Sequence, residues 1–76
     1  MYEILVSVGV PDDIAYIADA YATATKLTRQ QKNQLSCCVV KEYGNYSQLE
    51  RQYPDVVQDC SPTADCATIL RNAGLG

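Results

Sequence analysis

The residues in this chain with the most recognisable chemistry are its four cysteines, Cys37, Cys38, Cys60 and Cys66. Thiols can form disulfides, bind zinc or act as nucleophiles, and their spacing helps to separate these roles. A four-thiolate zinc site usually needs cysteine pairs with about two to four residues between their members. Here one pair is adjacent and the other has five residues between its members. The spacing therefore predicts no metal, and nothing else in the sequence indicates a cofactor.

A catalytic constellation is also missing from the sequence. The chain contains no histidine, so a thiol nucleophile would lack its usual base. Neither a glycine-rich phosphate loop nor a nucleophile elbow is present. Asp12 and Asp13 are adjacent carboxylates, but they follow Pro11 at the start of a predicted helix, where negative charge stabilises the helix dipole. We therefore expect a protein that is not an enzyme.

The first predicted element of secondary structure lies at residues 2–10, where apolar and other residues alternate. Its even-numbered positions are apolar or aromatic, which is the period of a half-buried strand. Pro11 ends this strand. A helix is predicted next, with Ile17 on its apolar stripe and Tyr16 on its polar side.

The segment that carries the first two cysteines is predicted to be a helix that begins after Thr28, a favourable N-cap. Its apolar spacing places Cys38 on the inward face and Cys37 on the outward face. A second strand at residues 36–43 is the alternative. The patterns predict two further helices with N-caps at Ser47 and Ser61, a loop over residues 54–60 between them, and Gly74 as the cap that ends the last helix.

These elements predict one small domain over residues 1–76, mainly α with one N-terminal strand, in the order β-α-α-α-α. A chain of this length buries only a modest core. Because a lone strand leaves its backbone groups unpaired, we expect the strand to pair across a homodimer. The alternative is a small α+β fold in which residues 36–43 supply the second strand.

The pairing of the cysteines stays open, since four cysteines allow three connectivities. The inward position of Cys38 favours a bridge to Cys60 or Cys66, and a local bridge between Cys60 and Cys66 is an alternative. A bridge between Cys37 and Cys38 would strain a helix. The compartment is equally open: we expect a soluble protein, cytoplasmic if the chain is complete and its thiols are reduced, and exported if a signal was removed and the cysteines are paired.

Charge and tyrosine content point to protein partners. The net charge is −3, which disfavours binding driven by phosphate contacts, and all six aromatic residues are Tyr. The apolar stretch near the N-terminus is too short to span a membrane. A protein interface is predicted at Tyr16 together with Tyr2, Ile4 and Val6. The first hypothesis is therefore a non-catalytic protein-binding module that acts as an inhibitor, an adaptor or an accessory factor.

Two resemblances supply the alternative functions. The runs Ile4-Leu5-Val6-Ser7-Val8, Pro11-Asp12-Asp13-Ile14 and Thr25-Lys26-Leu27-Thr28-Arg29 place residues 2–31 in a pattern that resembles the ribbon-helix-helix family of dimeric DNA-binding regulators. The resemblance implies a shared β-ribbon in the major groove and phosphate contacts from Thr28, Arg29 and Lys32. Glu3, Leu5 and Ser7 replace the polar residues that usually read bases in such a ribbon. Residues 27–70 resemble small exported helical proteins stapled by disulfides.

Overall fold

The computed structural model describes residues 1–75, which form six α-helices. The helices are α1 (Tyr2–Ser7), α2 (Asp12–Ala24), α3 (Arg29–Tyr43), α4 (Tyr46–Gln52), α5 (Pro54–Gln58) and α6 (Cys66–Asn72). The longest of them, α3, packs against each of the other five. The domain is therefore a set of short helices arranged around one central helix.

The predicted N-terminal strand is wrong, and with it the order β-α-α-α-α. Residues 2–7 form α1, and no strand occurs anywhere in residues 1–75. Leu5 and Val8 are fully buried and Ile4 is half-buried, whereas Val6 is exposed. Burial therefore follows spacings of three and four residues, as on a helix, and not the spacing of two seen on a strand.

Because residues 2–7 form a helix and not a strand, two further expectations fail. Helical backbone groups bond within their own segment, so residues 2–7 present no unpaired strand edge that a second copy would have to cover. The argument for a strand shared across a homodimer therefore no longer holds. The ribbon-helix-helix resemblance also fails, because that family needs a β-strand at this position.

Two of the helices end at a glycine in the left-handed region, after which the chain turns back on the helix. Gly9, with φ 91°, follows α1, and Gly74, with φ 84°, follows α6. Each glycine is followed by an apolar residue whose N–H bonds back to the helix, as in the Schellman motif. The bonds run from Val10 to the Leu5 carbonyl (3.0 Å) and from Leu75 to the Leu70 carbonyl (2.9 Å). The cap predicted at Gly74 is confirmed.

The central helix begins where the sequence predicted. Thr28 is the N-cap of α3: its hydroxyl accepts a hydrogen bond from the Gln31 N–H (3.2 Å), and the Gln31 Oε1 accepts one from the Thr28 N–H (2.9 Å). Two of the otherwise unpaired donors at the start of the helix are thereby satisfied. Residues 36–43 belong to this helix, so the alternative small α+β fold with a second strand there is wrong.

The boundaries of the later helices differ from the prediction. Asn45, not Ser47, caps α4, and Asp65, not Ser61, caps α6. In both cases the side chain of the residue just before the helix accepts the backbone N–H three positions later, from Gln48 (3.1 Å) and from Thr68 (3.2 Å). Pro54 begins a short helix where a loop was expected, since proline is well tolerated in the first turn.

Small residues allow close packing around α3. The inner face of α2 presents Ala15, Ala18 and Ala22, all buried, so this helix can approach its neighbours closely. The largest fully buried side chains are Leu5, Leu35, Leu49, Val8, Val39, Val40, Cys37 and Cys38. Four of these eight residues are consecutive in α3, at positions 37–40. Consecutive residues of a helix point to different sides, so the middle of α3 is enclosed on more than one side.

Candidate functional site

The four cysteines form two disulfides that attach the middle of α3 to the segment over residues 60–66. Cys37 pairs with Cys60, and Cys38 pairs with Cys66; the paired Cα atoms are 6.1 Å and 5.2 Å apart. The expected outward position of Cys37 is wrong, because this residue is fully buried. Both sides of α3 are covered at this level, by α5 and by α6, so adjacent cysteines that point in different directions each meet a partner.

Hydrogen bonds reinforce the same connection. The Gln34 Oε1 accepts from the Ser61 N–H over 2.7 Å, and the Asn33 Nδ2 donates to an Asp59 carboxylate oxygen over 2.7 Å. Both pairs link α3 to the chain that follows α5. The position of α6 relative to α3 is therefore fixed by covalent and polar contacts together.

One face of the molecule keeps large apolar side chains in contact with solvent. Among residues 1–75, the exposed large hydrophobic residues are Tyr16 (66% exposed), Val6 (41%) and Ile17 (39%). Tyr16 and Ile17 share the solvent side of α2 with Ala20 and Ala24, which are also exposed. We name these four residues the α2 outer face; their spacing of about one helical turn makes them a continuous stripe.

The hairpin of α1 and α2 carries acidic side chains and no basic ones. Residues 1–25 carry the carboxylates of Glu3, Asp12, Asp13 and Asp19 and contain no Lys or Arg. Residues 26–76 carry all six Lys and Arg residues and five carboxylates. The hairpin of α1 and α2 therefore concentrates the acidity of the whole chain and should attract cationic surfaces.

Two of the residues predicted at the interface, Tyr2 and Ile4, are less exposed than Tyr16. Tyr2 is half-buried, and its hydroxyl donates a hydrogen bond to a carboxylate oxygen of Asp12. Ile4 is half-buried and packs against the core cluster. Of the four residues predicted at an interface, Tyr16 and Val6 are therefore the two that solvent reaches most. Ile17 was expected on the inward stripe and is found on the α2 outer face instead.

The three residues predicted to contact phosphate lie at the start of α3. The Thr28 hydroxyl accepts a backbone hydrogen bond in the helix cap. An Arg29 Nη2 lies 3.7 Å from an Asp55 carboxylate oxygen, and both side chains are well exposed. Lys32 is exposed. Arg29 and Thr28 are thus engaged with groups of the chain itself.

A cleft opens between α2 and α6, above α3. Both helices pack on α3, but their Cα atoms stay more than 8 Å apart, which leaves a pocket of about 200 Å³ between them. We name this space the α2–α6 cleft. Its lining residues are Tyr21, Leu27, Gln31, Gln34, Leu35, Ile69 and Asn72. No sequence pattern predicts this cleft, since residues from three separate segments form it.

Comparisons with known proteins identify no relative of this chain: no protein-family model, no curated protein and no solved structure matches it. Within residues 1–75, none of the helices combines the length and the apolar character needed to cross a lipid bilayer.

Proposed function

We propose that this chain is a non-catalytic protein-binding module that engages its partner through the α2 outer face. The observation that carries the proposal is the exposure of Tyr16 and Ile17 side by side on a helix that buries three alanines on its other side. A contiguous apolar stripe on a small domain is typical of an interaction surface. Tyrosine suits such a surface, because its ring contributes apolar area and its hydroxyl can form a hydrogen bond.

The charge of the hairpin supports a particular kind of partner. The carboxylates of residues 1–25 have no cation among them, so a basic partner surface would be complementary. The proposed partner is therefore a protein whose contact region is apolar at its centre and lined by Lys or Arg. Occupying such a region would suit an inhibitor, an adaptor or an accessory factor.

The test is to retain partners on the immobilised chain under native conditions and then to measure the affinity of the purified partner for variants. Tyr16→Ala should weaken binding by about tenfold or more, as central interface tyrosines commonly do. Tyr46→Ala, on α4, is the control at another face; because Tyr46 packs partly against the core, both variants are compared under conditions where circular dichroism shows them folded. Equal affinity of both variants, or no retained protein at all, would contradict the proposal.

The proposed attraction between the acidic hairpin and a basic partner surface can be tested separately. Asp13→Asn should slow association with the partner and reduce the dependence of the association rate on salt, since long-range attraction acts mainly on encounter. Asp55→Asn, on α5, is the control that removes the same charge elsewhere. If the two variants change the rate equally, the negative hairpin has no special role.

We further propose that the chain works in an oxidising compartment, as an exported protein would. The support is the pairing of all four cysteines in two long-range bridges, because such disulfides persist outside the reducing cytosol. Counting free thiols on protein taken from its native source, with alkylation before lysis, tests this directly. Zero free thiols is the expected result; four would favour a cytoplasmic, reduced protein.

A further inference from the structure

The floor and the α6 wall of the α2–α6 cleft are held in place before any ligand arrives. Ile69 and Asn72 belong to α6, which the bridge between Cys38 and Cys66 fixes to α3. Gln34, on the floor of the cleft, uses its Oε1 to accept the Ser61 N–H. A site whose walls are fixed in advance loses little conformational freedom on binding.

The wall on the α2 side is shaped by an unusual turn at the end of that helix. Lys26 has a positive backbone φ of 53°, a conformation that residues other than glycine rarely adopt. The next residue, Leu27, is thereby directed back toward α2. Leu27 and Tyr21 both line the cleft. The left-handed residue at the end of α2 therefore places an apolar side chain at the edge of the cleft.

The size of the cleft limits what it can hold. An apolar cavity of about 150 Å³ is known to accept benzene, so a space of about 200 Å³ suits a molecule of roughly eight or nine non-hydrogen atoms. Lipids and most drug-sized ligands need larger pockets, of about 300 Å³ or more. The part of a ligand that the cleft encloses is therefore small.

The lining determines the polarity of that molecule. Four of the seven lining residues, Tyr21, Leu27, Leu35 and Ile69, offer mainly apolar surface. The remaining three, Gln31, Gln34 and Asn72, are uncharged amides. The Gln34 amide is engaged with Ser61 and Cys38. The Gln31 Oε1 accepts the Thr28 N–H, so the Gln31 Nε2 and the Asn72 amide are the groups left to bond a ligand. None of the lining residues carries a charge, so an ionic ligand would lose its hydration without gaining an ion pair.

We propose that the α2–α6 cleft is a binding site for a small, neutral, mainly hydrocarbon alcohol or phenol, with the hydrocarbon part against Leu27, Leu35 and Ile69 and the hydroxyl at the amides. The site shares no residue with the α2 outer face, so the proposal goes beyond the proposed function and does not depend on it.

The experiment is a titration of the oxidised, full-length chain with 4-ethylphenol, followed by NMR signals of Tyr21, Leu27 and Ile69. We expect saturable shifts at these three residues. Ethylbenzene should bind more weakly because it lacks the hydroxyl, and 4-ethylbenzoate should bind about tenfold more weakly or worse because it is charged. Shifts that never saturate, or equal affinity for 4-ethylbenzoate, would overturn the proposal.

Variants locate the site. Asn72→Phe places a ring at the exposed edge of the cleft and should reduce the affinity for 4-ethylphenol about tenfold. Gln30→Phe, which adds the same ring at an exposed position of α3 outside the lining, should leave the affinity unchanged. Leu27→Ala enlarges the cleft and should shift the preference toward 4-butylphenol by about threefold.

The outcomes separate this site from the proposed interface. Tyr16→Ala should leave 4-ethylphenol binding unchanged even if it abolishes partner capture. If Asn72→Phe and Gln30→Phe bind 4-ethylphenol equally well, and Leu27→Ala shows no change in preference, the cleft is not the site and the inference fails.

Discussion

The backbone N–H of Leu27 donates a hydrogen bond to the carbonyl oxygen of Ala22 over 3.1 Å, and this bond closes the end of α2 around Lys26. The same six-residue closure ends α1 around Gly9 and α6 around Gly74. A left-handed conformation costs a residue with a side chain roughly 1 to 2 kcal/mol, whereas glycine adopts it freely. The end of α2 therefore stores backbone strain that the two glycine-capped helices avoid.

Lys26→Gly should stabilise the domain. Relief of the left-handed strain, less the greater freedom of glycine in the unfolded chain, should raise the free energy of unfolding by about 0.5 to 1 kcal/mol. Thermal unfolding should show a rise in Tm of about 4 °C for a domain of this size. The reciprocal control is Gly74→Lys, which should lower Tm. A lower Tm for Lys26→Gly would mean that the lysine side chain has a stabilising contact.

Gly44→Ala should destabilise the domain for a different reason. A Cβ at position 44 would lie 2.9 Å from a Val10 methyl carbon and 3.0 Å from the Val8 carbonyl oxygen. The Val8 oxygen cannot move away easily, since it accepts the Asn45 N–H over 2.8 Å. We expect a loss of about 1 to 3 kcal/mol in the free energy of unfolding, measured in urea. Unchanged stability would show that this close approach is relaxed in solution.

Removal of the disulfides should unfold much of the population. Each bridge alone closes a loop of more than twenty residues, for which the expected stabilisation is about 3 kcal/mol, and the second bridge adds less because the two loops overlap. Small domains have only about 5 to 15 kcal/mol in total, so loss of both bridges leaves little or nothing. The double variant Cys38→Ser, Cys66→Ser should have a guanidinium midpoint between those of the oxidised and fully reduced protein. If reductant leaves the transition unmoved, the bridges do not support the fold.

The Asp65 cap gives a specific dependence on pH. The Thr68 hydroxyl and backbone N–H both donate to the Asp65 carboxylate, with a smaller contribution from the charge of Arg71, and they hold the pKa of this carboxyl below its ordinary value of 3.8. The stabilisation is therefore present above the ordinary pKa and is lost as pH falls through the lowered pKa in the folded state. We expect NMR titration to show a higher Asp65 pKa in Thr68→Ala than in the wild type.

The same cap can be tested by removing the charge. The stability difference between the wild type and Asp65→Asn should be present near neutral pH and should vanish at low pH, where both side chains are uncharged. Glu50→Gln is the control, since Glu50 is exposed and its side chain has no hydrogen bond or ion pair in the described part of the chain. A difference that is constant from neutral to acidic pH would show that the charge of Asp65 contributes nothing.

Several local signals were predicted correctly from the sequence, although the caps expected at Ser47 and Ser61 were not. Thr28 as a helix cap and Gly74 as a helix end each depend on a few neighbouring residues, and the structure has both. The helix at residues 36–43 likewise follows from local spacing. Such features need no knowledge of what packs against the segment, which is why they could be predicted.

The error at residues 2–10 has a physical origin in the shortness of the segment. The apolar residues fit a spacing of two, but Ile4, Leu5 and Val8 also fit spacings of one, three and four, and a helix of six residues is too brief for one period to dominate. Gly9 was the useful signal. Between two valines, it marks the end of a helix as readily as a bend in a strand.

The error at Cys37 arose from assuming that a helix buries one side. Adjacent residues on a helix are separated by about 100°, so Cys37 and Cys38 can both be buried only when neighbours cover two sides. The central position of α3 among five other helices provides this cover, and it depends on the whole topology. The α2–α6 cleft could not be predicted for the same reason.

Both bridges join α3 to later parts of the chain, so residues 1–36 lie outside every covalently closed loop. The hairpin of α1 and α2, which carries the exposed tyrosine, is held only by packing and hydrogen bonds such as that from the Asn45 N–H to the Val8 carbonyl. Its amide protons should therefore exchange with deuterium through partial opening of the hairpin. Those of α3 should exchange only through global unfolding. The cross-linked half would then act as a fixed frame from which a looser arm presents its apolar stripe.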